Sequence, residues 1–139
     1  MVRTVRYLVA SLAVAGGVLL TSCSTDRPSD ALPVVTDVNA TGRELAQRFI
    51  TILKDKDQAA LADFLAGAFQ IQRADGTGAN RAEYLEADIK ISSFELGPEV
   101  YAVQEANTLT VRWSLQIDEV INGKTTGKKL APRLSTFLW

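Results

Sequence analysis

The sequence predicts an α+β domain in which an N-terminal helical hairpin and a short third helix pack on an antiparallel sheet, behind a leader and a spacer. Three observations carry this reading. Apolar residues recur at helical intervals from Leu45 to Leu65, and they alternate strictly with polar ones from Leu109 to Ile117. Turn signals at Ala74-Asp75-Gly76-Thr77-Gly78, Gly97-Pro98 and Asn122-Gly123 then divide the remainder into short strands.

The leader comes first. Arg3 and Arg6 give a positive start, Tyr7 to Leu20 carries no charge, and the small residues Thr21 and Ser22 precede Cys23, the single cysteine. A membrane-spanning helix needs about 20 apolar residues. This run is shorter and is interrupted by Ser11, Gly16 and Gly17, so it reads as a secretory signal. From Ser24 to Asn39 the chain is rich in Ser, Thr, Asp and Pro, with Pro28 and Pro33 opposing regular structure, and is expected to be an extended spacer.

Thr41 and Glu44 have capping-box spacing, and Leu45, Phe49, Ile52 and Leu53 follow at helical intervals, which predicts a first helix over about 42–54. Asp57 caps a second helix with Leu61, Phe64 and Leu65 on its apolar side, ended by Gly67. Phe69, Ile71 and Arg73 alternate with Gln70 and Gln72 as a short strand. Asn80 caps a third helix carrying Tyr84 and Leu85.

Ile89 to Leu96 is a strand stopped by Gly97-Pro98. Three antiparallel strands then follow: Val100 to Gln104, the strand from Leu109, and one beginning near Leu130. In the middle strand Leu109, Val111, Trp113, Leu115 and Ile117 face the core, while Thr110, Arg112, Ser114, Gln116 and Asp118 face water. Asn122-Gly123 is a type I′ hairpin signal, and Pro132 suits a strand start or an edge.

Leu20-Thr21-Ser22-Cys23 resembles the lipobox of bacterial lipoprotein precursors, in which a Leu and two small residues precede an invariant cysteine. The resemblance implies that residues 1–22 are a signal peptide and that Cys23 accepts a diacylglyceryl group and acyl chains such as palmitate. Residues 23–39 would then be the lipidated start and linker. One fatty chain binds a bilayer marginally and two or three hold it stably. The expected location is therefore the extracytoplasmic face of a bacterial cell envelope, membrane-tethered with no spanning segment. Ser24 is not the Asp that favours inner-membrane retention, so the outer membrane is expected in an organism that has one.

Residues 40–139 resemble the nuclear transport factor 2-like fold of the SnoaL-like and ketosteroid-isomerase-like proteins. The resemblance is carried by Asp57-Gln58-Ala59-Ala60-Leu61-Ala62 leading to Phe69, by Ala74-Asp75-Gly76 before the short helix, and by Ala131-Pro132-Arg133-Leu134-Ser135-Thr136-Phe137. It implies a sheet curled into a cone. It also implies a space between helices and sheet able to hold a hydrophobic ligand, with Trp113, Tyr84, Phe69 and Phe94 as its walls, against the plainer reading of these aromatics as core. Members usually run on from such a last strand into another with a Gly-x-Trp element. Here the sequence stops at Trp139, so the expectation is a domain lacking its final strand, with the Leu130 to Trp139 strand as a hydrophobic edge open to association.

Composition narrows the chemistry. The chain has 15 Lys and Arg, 16 Asp and Glu, and no histidine. Without the leader 117 residues remain, enough for one domain, with 13 basic against 16 acidic side chains. Nucleic acid is an unsuitable partner for that balance, and Lys124, Lys128 and Lys129 read as a solvated turn. The preferred zinc, haem and thiol ligands are missing, as are histidine-based triads, so neither metal nor cofactor is expected. Tyr84, Tyr101, Asp75 and Asp88 are the groups able to supply the acid-base chemistry of the isomerase relatives. Asp75 in a turn and Asp88 at a helix end have ordinary structural explanations, and no catalytic residue is assigned.

The sequence therefore points first to a non-enzymatic, lipid-anchored envelope protein that binds a small hydrophobic ligand or a protein partner. A SnoaL-like isomerase or cyclase working by carboxylate proton transfer is the second expectation. The third is a homodimerisation module using the sheet face of Arg112, Gln116 and Asp118. A carboxylate on the core face of a strand would favour the enzyme, and the alternation to Asp118 supplies none.

Overall fold

The computed structural model describes residues 35–73, 76–126 and 128–139. Helix α1 (Val38–Asp55) starts four residues before the expected position, because Asp37 rather than Thr41 is its N-cap: the Asp37 carboxylate accepts from Ala40 N–H at 2.9 Å. The helix therefore begins inside the stretch expected to be spacer. It ends at Lys56, whose φ of 56° is left-handed and whose N–H returns to Ile52 and Leu53. Asp57 follows at once and caps α2 (Gln58–Phe64) through Ala60 N–H at 2.9 Å, so two caps in succession make the helical hairpin.

Strands β1 (Gln70–Gln72) and β2 (Gly78–Asn80) form a small antiparallel pair. Asn80 then caps α3 (Arg81–Glu86), with a complete capping box to Glu83. Arg81 ties α3 to the end of α2 by donating to the carbonyls of Ala62 at 2.7 Å and Leu65 at 3.2 Å.

The remaining strands are β3 (Ile89–Leu96), β4 (Tyr101–Glu105), β5 (Thr108–Ile121), β6 (Lys124–Thr126) and β7 (Ala131–Leu138). All four others pair antiparallel to β5. The sheet thus has five strands where the alternation and turns predicted four, β6 being the short return of the Asn122-Gly123 hairpin. Those two residues have φ of 49° and 80°, the pair of positive values a type I′ turn requires. Strands β4 and β7 both pair with Thr108–Arg112, so they flank β5 on opposite edges.

The core lies between the helices and one face of the sheet. Leu109 and Val111 are fully buried and Trp113, Leu115 and Ile117 nearly so, as the alternation predicts. Ala46, Ile50 and Leu53 of α1, Leu61 of α2 and its C-cap Leu65 meet them. Gly42 makes the close crossing possible, since a Cβ there would stand 3.0 Å from a Val111 methyl and 3.2 Å from Ala102 Cβ. The result is a mixed α+β fold, with helices packed on one face of an antiparallel sheet.

Candidate functional site

Four aromatics were expected to wall a ligand space, and the structure brings two of them together. Tyr84 on α3 and Phe69 before β1 have ring centroids 5.1 Å apart. They belong to a longer column: Tyr84 stacks on Phe49 at 6.2 Å, Phe49 on Phe64 at 5.9 Å, and Phe64 meets Phe137 edge-on at 6.1 Å. Phe49, Phe64 and Phe137 come from α1, α2 and β7, so their meeting is a tertiary fact that no single-element pattern carries. Trp113 lies on the core face of β5, where its indole N–H donates to Ser135 Oγ at 3.1 Å. Phe94 lies on β3 opposite Ile117, with the Lys54 ammonium 5.8 Å from its centroid.

Among the described residues, two small cavities lie near the expected pocket residues. One, of about 80 Å³, is lined by Ile52, Leu53, Leu61 and Tyr84 with Asp57 and Asp88 at its rim; the other, of about 150 Å³, lies around Phe94, Ile117 and Asp118. Tyr84 and Phe94 thus open on different cavities, and both are smaller than the roughly 300–1,000 Å³ typical of ligand pockets. Trp113 and Phe69 line neither.

Polar groups approach the column at Tyr84. Burial pushes its hydroxyl well above the ordinary tyrosine range; the Glu119 carboxylate adds to the effect, and Arg73 and Arg133 oppose it. Glu119 follows Ile117 by two residues on β5 and pairs with the buried Ile91, which places it on the core face. The expectation that β5 carries no core-face carboxylate is therefore corrected. The alternation simply continues past Asp118, and the signal was present at the next odd position.

Of the other acid-base candidates, Asp88 lines the same small cavity as Tyr84, and Tyr101 lies on another strand. Asp88 is exposed and bonded to Lys90 at 2.8 Å, which holds its carboxyl below the usual carboxylate range. Tyr101 is half exposed on β4 and donates to Glu99 at 3.2 Å. Asp75 and Cys23 lie outside the described residues. Among the described residues no group of three His, Cys, Asp or Glu side chains is placed to hold a metal. No helix among them is long and apolar enough to cross a membrane.

The face of the sheet turned away from the helices is different in kind. Register places Tyr101 and Val103 of β4, Thr110 and Arg112 of β5, and Leu134, Thr136 and Leu138 of β7 side by side on it. Leu134 is 74% exposed, Val103 71%, Leu138 59% and Tyr101 50%, so four large apolar side chains stand on one face, interleaved with Arg112, Thr110 and Thr136 and with Glu105 at the end of β4. At its centre the Arg112 guanidinium lies 4.6 Å from the Tyr101 ring centroid. Further along β5, Asp118 is paired with Lys128 at 2.9 Å and Gln116 is exposed.

Solved structures align with this fold over about three quarters of the chain. A protein from Exiguobacterium sibiricum assigned as a Ca/calmodulin-dependent kinase II association domain superposes with a TM-score of 0.58 at 14% identity, over 77% of this chain and 84% of its own. An NTF2 chain bearing substitutions aligns with a TM-score of 0.49 at 22% identity, over 74% and 89%. A protein from Xanthomonas campestris pv. campestris assigned as a polyketide cyclase aligns with a TM-score of 0.39 at 12% identity, over 72% and 80%. At such identities the likeness is one of fold. No protein-family model matches the chain, and no curated protein matches it by sequence.

Proposed function

We propose that this protein is a non-enzymatic binding module of the bacterial cell envelope, tethered through Cys23 and docking a protein partner on the outer face of its sheet. The observation that carries the reading is the exposed apolar surface of Tyr101, Val103, Leu134 and Leu138 around Arg112. Burying such side chains contributes roughly 25 cal/mol per Å² of apolar surface. A partner that removes them from water must also satisfy Arg112, so it presents an apolar patch bearing a carboxylate. The small cavities favour a protein over a hydrophobic small molecule as the occupant.

Photo-crosslinking residues placed at Val103 and Leu134 in cells test the docking face, with Asp63 on exposed α2 as control. A discrete adduct from both sheet positions and none from Asp63 is the expected result; equal labelling of all three contradicts it. For the tether, Cys23→Ala is expected to abolish palmitate labelling and release the protein from the membrane fraction. Unchanged retention removes that part of the proposal.

A second reading, proton transfer on a lipophilic substrate, is favoured by one observation. Glu119 stands on the core face near enough for its charge to act on the buried Tyr84. Turnover abolished by Glu119→Gln with the fold intact would select this reading.

A further inference from the structure

The outer face of the sheet is not its only uncovered surface. Among the described residues strand β7 is paired along one edge only, and the hydrogen-bond phase of the strand fixes which residues point along the other. Trp139 N–H donates to Asn107 O at 3.1 Å, so residues 139, 137, 135, 133 and 131 direct their backbone groups towards β5. Pro132, Leu134, Thr136 and Leu138 therefore direct theirs outward. No strand among the described residues pairs with that edge. Pro132 fits this phase, since its missing N–H costs β5 nothing.

We infer that β7 pairs antiparallel with β7 of a second copy of this chain about a two-fold axis at Thr136, joining two sheets edge to edge. The register follows from satisfying the outward groups. Centred at Thr136, the two Thr136 residues exchange hydrogen bonds across the axis, and Leu134 of each copy exchanges bonds with Leu138 of the other. Every outward donor from Leu134 to Leu138 then has an acceptor, and Pro132 falls just beyond the ladder. Centring at Leu134 or Ser135 brings Pro132 into the ladder opposite Thr136 or Leu138, leaving a carbonyl there without a donor.

Side-chain chemistry selects the same register. Leu134 stands beside Leu138 of the other copy on the outer face, which covers two residues that are 74% and 59% exposed in the single chain. The only charge on β7, Arg133, falls opposite Trp139 of the other copy, a favourable cation–π partner. The two Arg133 residues are offset by six positions, about 20 Å along the strand, which exceeds a Debye length of about 10 Å at 0.1 M salt. Like charges therefore do not oppose the pairing, and β7 carries no acid that a basic partner strand would be needed to match. The pairing borrows Leu134 and Leu138 from the edge of the docking face proposed above and leaves Tyr101, Val103 and Arg112 uncovered.

Cysteine cross-linking of the full chain in mild detergent, in a Cys23→Ser background, tests the inference. Thr136→Cys lies opposite its own copy, with Cβ atoms about 5 Å apart, so a short bismaleimide is expected to convert it to a covalent dimer. Val103→Cys lies five strand spacings from its copy, about 24 Å, and is expected to remain monomeric. A monomer throughout, or cross-linking at Val103 and not at Thr136, overturns edge pairing; the latter indicates that outer faces pack instead. Leu134→Pro removes only an outward donor. It is expected to keep the far-ultraviolet circular dichroism and melting temperature of the parent while lowering Thr136→Cys cross-linking at least about tenfold. Leu134→Lys gives the same readout by a change that cannot disturb the backbone, and undiminished cross-linking in both variants contradicts the register.

Discussion

Strands β4 and β7 flank the same stretch of β5, and they are finished in opposite ways. On β4 the outward N–H of Ala102 ends on the Asn39 side-chain carbonyl of α1 at 2.8 Å, and Arg43 of the same helix donates to the carbonyls of Gly97 and Pro98 at 3.0 and 2.6 Å. The helix that builds the core thus also closes that edge. On β7 the helices reach only the inner side, through Phe64 against Phe137, and the outward groups of Leu134, Thr136 and Leu138 have no strand beside them. A buried or covered edge is a stability device, whereas a bare one is a surface for association.

Proline substitution breaks this contrast most sharply. Ala102→Pro removes the donor that Asn39 accepts and sets a ring against α1, and is expected to cost about 2–3 kcal/mol by denaturant unfolding. Leu134→Pro on the opposite edge is expected to change the stability of the single chain by less than about 1 kcal/mol. Equal costs would mean that the edges are equivalent. Asn39→Ala tests the cover itself: it leaves the Ala102 N–H without its partner, and the expected loss is about 1–2 kcal/mol.

In the aromatic column Tyr84 alone is buried and the phenylalanines are partly buried. Tyr84 has its ionisation raised from the ordinary value of 10.0, mainly by burial. Its proton is held more tightly in the folded state than in the unfolded one, so its contribution is fully present below pH about 10 and stability falls as pH rises beyond it. Tyr84→Phe is expected to flatten the alkaline limb of the stability profile measured by denaturant unfolding. The smallest effect is expected at Leu134→Ala, within about 0.5 kcal/mol for the single chain, because its side chain is 74% exposed.

Local signals made most of the fold legible. The bounds of β3 and the caps Asp57 and Asn80 follow from neighbouring residues alone, as does the Asn122-Gly123 turn. At the start of α1 the capping-box spacing pointed to Thr41, but Asp37 is the cap because its carboxylate reaches Ala40 N–H, while Thr41 N–H already donates to Asp37 O at 3.0 Å within the helix. What stayed hidden was whatever depends on several elements meeting. The Phe69, Tyr84, Phe49, Phe64 and Phe137 column assembles from three helices, a loop and a strand, so no one periodicity contains it. The outer face was half legible: Arg112 could be placed on it from β5, but its apolar character comes from Tyr101, Val103, Leu134 and Leu138 on the two flanking strands.

The difference between the two edges is tested most directly by residue-resolved amide hydrogen exchange measured over a range of protein concentrations. Ala102 is expected to be protected equally at all concentrations, because its partner lies within the chain. Leu134, Thr136 and Leu138 are expected to exchange rapidly when dilute and to become protected together as concentration rises. Protection of those three that does not depend on concentration, or rapid exchange at every concentration, would contradict the account.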